Sequence, residues 1–233
     1  MIFPIGDDQI KGGHKPVFSY IFIAVNIVLF LYEISLPSIQ HLNDFIGHYG
    51  TIPYDIMAGE HYYTLFTNIF LHANWMHLIG NMLFLWIFAD NIEATLGNFK
   101  FFSFYILGGI IASVVHVLLN SDSQIPSIGA SGAISAVMGT YLIMFPASRV
   151  KVLVLYFFSS FYVSAIIFLG MWMIFQLYNG ISSLGGNINA GGVAYWAHIG
   201  GFIFGLLYGI IAKMFFSKKG YLYRKDNDNS GIA

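Results

Sequence analysis

Six long apolar stretches, at about 17–36, 75–92, 100–119, 128–146, 152–178 and 193–215, set what this chain can become. A bilayer's hydrocarbon core takes about 20 consecutive apolar residues per helix, and each stretch is near that length or beyond it. The rest of the composition agrees. Charged residues make up 9% of the 233 residues, against roughly 25% in soluble domains, and mean hydropathy is +0.70. The fifth stretch is long enough to tilt.

The basic residues give the stretches a direction. Lys11 and Lys15 precede the first, Lys100 lies between the second and third, and Arg149 and Lys151 lie between the fourth and fifth. Lys213, Lys218, Lys219, Arg224 and Lys225 are at or beyond the end of the sixth. With six crossings all ten Lys and Arg fall on one side, and the loops 37–74, 120–127 and 179–192 contain none. Cytoplasmic loops attract Lys and Arg. The sequence therefore predicts an all-α, polytopic membrane protein, a bundle of six transmembrane helices with both termini cytoplasmic. Residues 1–16 read as a cytoplasmic N-terminal segment without the pattern of a cleavable signal peptide. Residues 17–216 read as the six-helix domain, and 217–233 as a solvated, poorly ordered cytoplasmic tail. Loop 37–74 is a long, aromatic-containing segment that suits either a partly embedded hairpin or a wet loop. Loop 179–192, with glycines at 180, 185, 186, 191 and 192, reads as a mobile lid, with the outer end of the fifth helix as a gate.

Net charge is −1, which offers nucleic acid no attraction, and the absence of cysteine excludes disulfides and thiol catalysis. Polar groups inside hydrocarbon are costly and mark function. His77 and Asn81 in the second stretch, Ser131 in the fourth and His198 in the sixth stand out. At a rise of 1.5 Å per residue, Ser131, His198 and His77 each lie about 22–24 Å above the cytoplasmic end of a core roughly 30 Å thick, with Asn81 one turn deeper. Three helices thus place one serine and two histidines in one layer near the outer face.

Helix faces support the layer. Ser131, Ser135 and Gly139 recur every four residues, and Gly201 and Gly205 share the face of His198. Small residues let transmembrane backbones approach closely, which would bring His198 against Ser131. A hydroxyl needs an adjacent base to act as a nucleophile. Ser131 also opens a helix within Gly129-Ala130-Ser131-Gly132, where free backbone N–H groups can stabilise an oxyanion. His77 and Asn81, at i and i+4, could complete that hole. Each of these residues alone has an ordinary reading: a serine bonding its own helix, a structural histidine, packing glycines. His72 and His116 keep that reading. A metal site from His72, His77 and His198 lacks the His-Glu-x-x-His pattern and a carboxylate in the layer, so no metal is expected.

The ordered set from Thr67 to Gly205 resembles the rhomboid family of intramembrane serine proteases. It comprises His72-Ala73-Asn74-Trp75-Met76-His77 with Asn81, then Asp90-Asn91-Ile92-Glu93 with Leu96-Gly97, then Gly129-Ala130-Ser131-Gly132, then Ala197-His198 with Gly201 and Gly205. The resemblance implies a Ser131–His198 dyad without an acidic third member, an oxyanion hole from His77, Asn81 and the Ser131 backbone, and no cofactor. It implies transmembrane protein substrates, cut near helix-destabilising small residues within the lipid bilayer. The expected location is the plasma membrane, with the site opening to the non-cytoplasmic side. Two features depart from some members: Ser135 stands where an aromatic would stack on the catalytic histidine, and the first loop lacks a Trp-Arg pair. The alternatives are a non-catalytic, substrate-binding relative and a transporter; a transporter would need a continuous polar path rather than a layer at one depth.

Overall fold

The computed structural model describes residues 2–8, 13–157, 159–184 and 193–216. It is mostly helical. Among the described residues, four helices are long and apolar enough to cross a membrane: α1 (Phe18–Ser35), α6 (Asn98–Leu119), α8 (Ala165–Leu184) and α9 (Tyr195–Phe216). Packed among them are α5 (Trp75–Leu96) and the shorter α7 (Ser131–Met144). The first loop is largely helical too, holding α2 (Ile39–Tyr49), α3 (Pro53–Met57) and α4 (Thr64–Thr67) before a 3-10 turn at Asn68–Phe70. It is fastened to the 120–127 loop by an antiparallel bridge between Thr51 and Ser127.

The buried centre is α7. Every residue from Gly132 to Tyr141 is buried, and the helix touches α5, α6, α8 and, most closely, α9. Small residues make that contact possible. A Cβ on Gly201 would overlap the carbonyl oxygen of Gly132, and one on Gly205 that of Ala136. One turn below, Thr140 Oγ1 donates to the Gly205 carbonyl at 2.8 Å. The α7 helix stops at Met144 because the residue before Pro146 is turned out of the helical region (Phe145 φ −125°, ψ 52°).

Three expectations need correction. The first is the all-α class: a three-stranded antiparallel sheet is present, in the order β1 (Ile2–Asp7), β2 (Arg149–Val154), β3 (Ser159–Ser164). The second is the fifth span, which starts at Ala165 rather than 152 because β2 and β3 form a hairpin ahead of it. Alternation in Arg-Val-Lys-Val explains the strand: Val150 and Val152 are buried while Arg149 faces outward, the period of two that a half-buried strand requires. That span is thus a 20-residue helix with no surplus length to tilt. The third is the last loop. Residues 179–184 belong to α8, and Gly180 packs against Ile199 and Trp196 rather than serving as a hinge. The remainder of that loop, including glycines 185, 186, 191 and 192, lies outside the described residues, as do Lys11 and the 217–233 tail with its four basic residues.

The segment set apart at 1–16 carries β1 and ties α5, α7 and β2 together at one end of the bundle. Asp7 accepts from Tyr141 Oη and, at 2.7 Å, from Asn91 Nδ2. Asp8 pairs with Arg149 at 3.1 Å, and Arg149 also lies 5.0 Å from the Tyr162 ring centre. The start of α1 is held by a buried carboxylate. Glu93 accepts from the backbone N–H groups of Val17, Phe18 and Ser19 and from Ser19 Oγ, at 2.6–2.9 Å. A helix leaves its first N–H groups without partners, and a negative charge there also complements the helix dipole. Glu93 thus has a structural role, fastening α5 to the start of α1. Replacing Glu93 with Ala strands four donors and is expected to cost at least about 2 kcal/mol of stability. The check is denaturant titration of the purified protein in micelles, where an unchanged midpoint would contradict this role.

Candidate active site

Ser131 is the first residue of α7, and its position follows from the turn before it. Gly129 has φ +127°, a backbone angle that side-chain-bearing residues rarely adopt, and its N–H donates to the Asn68 carbonyl at 2.8 Å. Ala130 then caps the helix, whose first backbone bond runs from Ile134 N–H to Ala130 O at 3.0 Å. The N–H of Ser131 therefore sits ahead of the helix's own ladder, beside its own hydroxyl.

The close contact of α7 with α9 brings His198 to that hydroxyl. His198 Nε2 and Ser131 Oγ are 2.7 Å apart, and both residues are partly buried. The sequence-derived pair is therefore in direct hydrogen-bond contact. Ser135, four residues on, turns its hydroxyl to the Ser131 carbonyl at 2.6 Å and leaves His198 alone.

His77 and Asn81 come from the N-terminal part of α5 and face the same turn. A side chain on Gly129 would strike His77 Nε2 and come within 3.6 Å of Asn81 Nδ2. Their protons are set by neighbours. The Ala73 N–H approaches His77 Nδ1 at 3.4 Å, which keeps Nδ1 as an acceptor and leaves Nε2–H toward the Gly129 turn. Asn81 Nδ2 gives one hydrogen to His72 Nε2 at 2.9 Å and has a second to offer. Asn74 caps α5 by accepting from the His77 N–H at 2.9 Å. His72 is thus more than an ordinary buried histidine: it orients Asn81. Its own backbone N–H reaches the buried Glu33 carboxylate at 3.2 Å. The imidazoles of His72, His77 and His198 each direct a nitrogen to a different partner rather than to a common point. A small cavity lined by Ser131, Asn68, Ser113 and Ser127 together with Ile69 and Ile128 lies at the site.

One contact was absent from the sequence reading. His198 Nδ1 lies 2.8 Å from Gln176 Oε1 on α8. Trp172, one turn earlier, has its ring 5.7 Å from the imidazole. Gln176 follows an unbroken run of apolar residues and glycine in α8, and that break was the available signal.

Arranged this way, the site can pass a hydroxyl proton to an imidazole and offer N–H donors to an oxygen that becomes negative. Replacing His77 or Asn81 with Ala is expected to slow turnover by about tenfold or more, short of the hundred- to thousandfold cost of removing a lone oxyanion donor. The double variant is expected to be slower than either. Steady-state cleavage of a transmembrane substrate checks this, and unchanged rates in all three variants would leave these residues a purely structural part.

A family model described as a rhomboid domain matches residues 59–215. Rhomboid protein 1, mitochondrial, of Saccharomyces cerevisiae is 27% identical over 200 residues, covering 84% of this chain and 53% of its own length. Rhomboid protease GluP of Bacillus subtilis is 33% identical over 136 residues, covering 58% of this chain and 26% of its own length. Human presenilin-associated rhomboid-like protein, mitochondrial, is 31% identical over 147 residues, covering 60% of this chain and 35% of its own length. The chain thus spans about half, or less, of the length of these relatives.

Proposed function

Because the chain belongs to the rhomboid family, we propose that it is an intramembrane serine endopeptidase that cuts membrane proteins in or near their transmembrane segments. The observation that carries this reading is the 2.7 Å contact between His198 Nε2 and Ser131 Oγ. As Oγ bonds to the scissile carbonyl carbon, its proton passes to Nε2. The carbonyl oxygen becomes an oxyanion facing the Ser131 N–H, His77 Nε2–H and Asn81 Nδ2–H. Collapse breaks the C–N bond, and His198 returns the proton to the departing amine. Water, deprotonated by the same imidazole, then hydrolyses the acyl ester and restores Ser131. These steps need no group beyond the protein's own side chains and water.

In this reading the protein is a multi-pass membrane protein in which α1, α5, α6, α7, α8 and α9 all cross. The N-terminal segment before residue 17, the β2–β3 hairpin and the tail after 216 are cytoplasmic. That orientation accounts for β1 meeting β2 at one end of the bundle while Ser131 opens toward the other. The membrane proposed is the plasma membrane, and the placement of the basic residues puts the site on its non-cytoplasmic side. Gly201 and Gly205 on α9, with Gly129 and Gly132 beside Ser131, hold the pair together by packing.

Ser131→Ala is expected to abolish cleavage of a model transmembrane substrate with the fold intact. Cleavage at the original rate would sink the mechanism, and a chain that binds substrate but never cleaves it, even unaltered, would be a non-catalytic member of the family. Topology has its own test, helped by the lack of native cysteine. Single cysteines at Gln124 and Ser182 are expected to react with an impermeant thiol reagent added to intact cells, and one at Ser159 is not. The reverse pattern would invert the orientation.

A further inference from the structure

We infer that Gln176 is a positioning residue that holds His198 in the tautomer able to receive the Ser131 proton. The inference rests on the serine–histidine reading above and deepens it. A neutral imidazole has one protonated and one free nitrogen, and only a free Nε2 can accept from Ser131 Oγ. The proton must then sit on Nδ1. Gln176 Oε1, 2.8 Å from Nδ1, is a carbonyl-type acceptor, so it stabilises Nδ1–H. When His198 becomes an imidazolium, Nδ1–H still donates to the same oxygen. Amides serve as histidine orienters elsewhere, as in Cys-His-Asn proteases.

The surroundings show that this contact is built in. Gln176 is 5% exposed and is the first polar side chain of α8, following its apolar run from Ala165 to Phe175, and a buried amide is costly unless it is hydrogen-bonded. Most of α8 faces outward: Ile167, Met171, Ile174, Phe175 and Tyr178 are all more than half exposed. Trp172 and Gln176, at i and i+4 on one face, meet His198 from the side, one with its ring and one with its oxygen. Support for the imidazole therefore comes from α8, whereas the residue one turn after Ser131 on α7 is a serine occupied with its own helix. The buried amide and the tilted indole, both on the inward face of α8, converge on one ring.

The test compares Gln176→Met, which keeps length and loses the acceptor, with Gln176→Glu, which keeps an acceptor oxygen. Both are made in the full chain in micelles and assayed on a transmembrane substrate. Gln176→Met is expected to lower kcat by about ten- to hundredfold, the range for leaving a buried donor unpaired, with KM nearly unchanged. Gln176→Glu is expected to recover most of that loss. Nitrogen-15 NMR of histidine-labelled protein, with the His198 signals assigned by their loss in His198→Ala, is expected to show an Nδ1–H tautomer in the unaltered chain and a mixture in Gln176→Met. Full kcat in Gln176→Met, or equal loss in both variants, overturns the inference. Should the Met variant fail to fold, an Nε2–H tautomer in the unaltered chain overturns it alone, and an Nδ1–H tautomer with an active Gln176→Glu supports it. Failure of the serine–histidine reading is separate: it appears as cleavage that survives Ser131→Ala.

Discussion

The approach of α9 to α7 is the interaction on which the site depends. Gly201 and Gly205 lie so close to the α7 carbonyls of Gly132 and Ala136 that neither tolerates even a methyl group. In a bilayer there is little hydrophobic gain from pressing two apolar helices together, because lipid tails are equally apolar, so close packing and interhelical hydrogen bonds carry the association. The Thr140 hydroxyl on the Gly205 carbonyl is one such bond. His198 stands three residues before Gly201, and Ser131 begins the helix that Gly201 contacts. A wider separation of these axes would pull imidazole and hydroxyl apart.

Around that contact, each further group of the site is held by a neighbour whose own position is fixed. Glu33 engages the His72 backbone, His72 orients Asn81, Asn74 caps the helix that carries His77, and Gln176 meets the far nitrogen of His198. Buried polar chains of this kind are costly if one member is unpaired and rigid when all are satisfied. The end of the bundle that carries Ser131 is matched by the opposite end, where Asp7 joins β1 to α5 and α7 and Glu93 closes the start of α1.

The site was more legible in the sequence than the fold around it. Ser131, His198, His77 and Asn81 are polar in a medium that penalises polarity, and small residues repeated on the matching faces, so depth and face together brought them to one place. The sheet escaped because Val152 and the residues after it are as apolar as a membrane helix; hydropathy counts them into the fifth span, while the alternation of Val150 and Val152 with Arg149 and Lys151 carries the strand signal. The helix start at Ser131, three residues inside the apolar stretch that begins at 128, is fixed by the positive φ of Gly129 and its bond to Asn68, and only the bond is a tertiary contact outside the local pattern. Gln176 is silent in the sequence because an amide at the end of an apolar run acquires meaning only once α8 packs against α9.

The most direct measurement is labelling of the purified full chain with a fluorophosphonate, followed by peptide mapping and a parallel cleavage assay. A serine activated by His198 is expected to take one adduct, on Ser131, with cleavage of a transmembrane substrate lost in proportion to labelling and no adduct formed in His198→Ala. An unmodified Ser131 in protein whose cleavage has been abolished by the probe, or equal labelling of Ser131 with and without His198, would contradict the assignment of this pair as nucleophile and base.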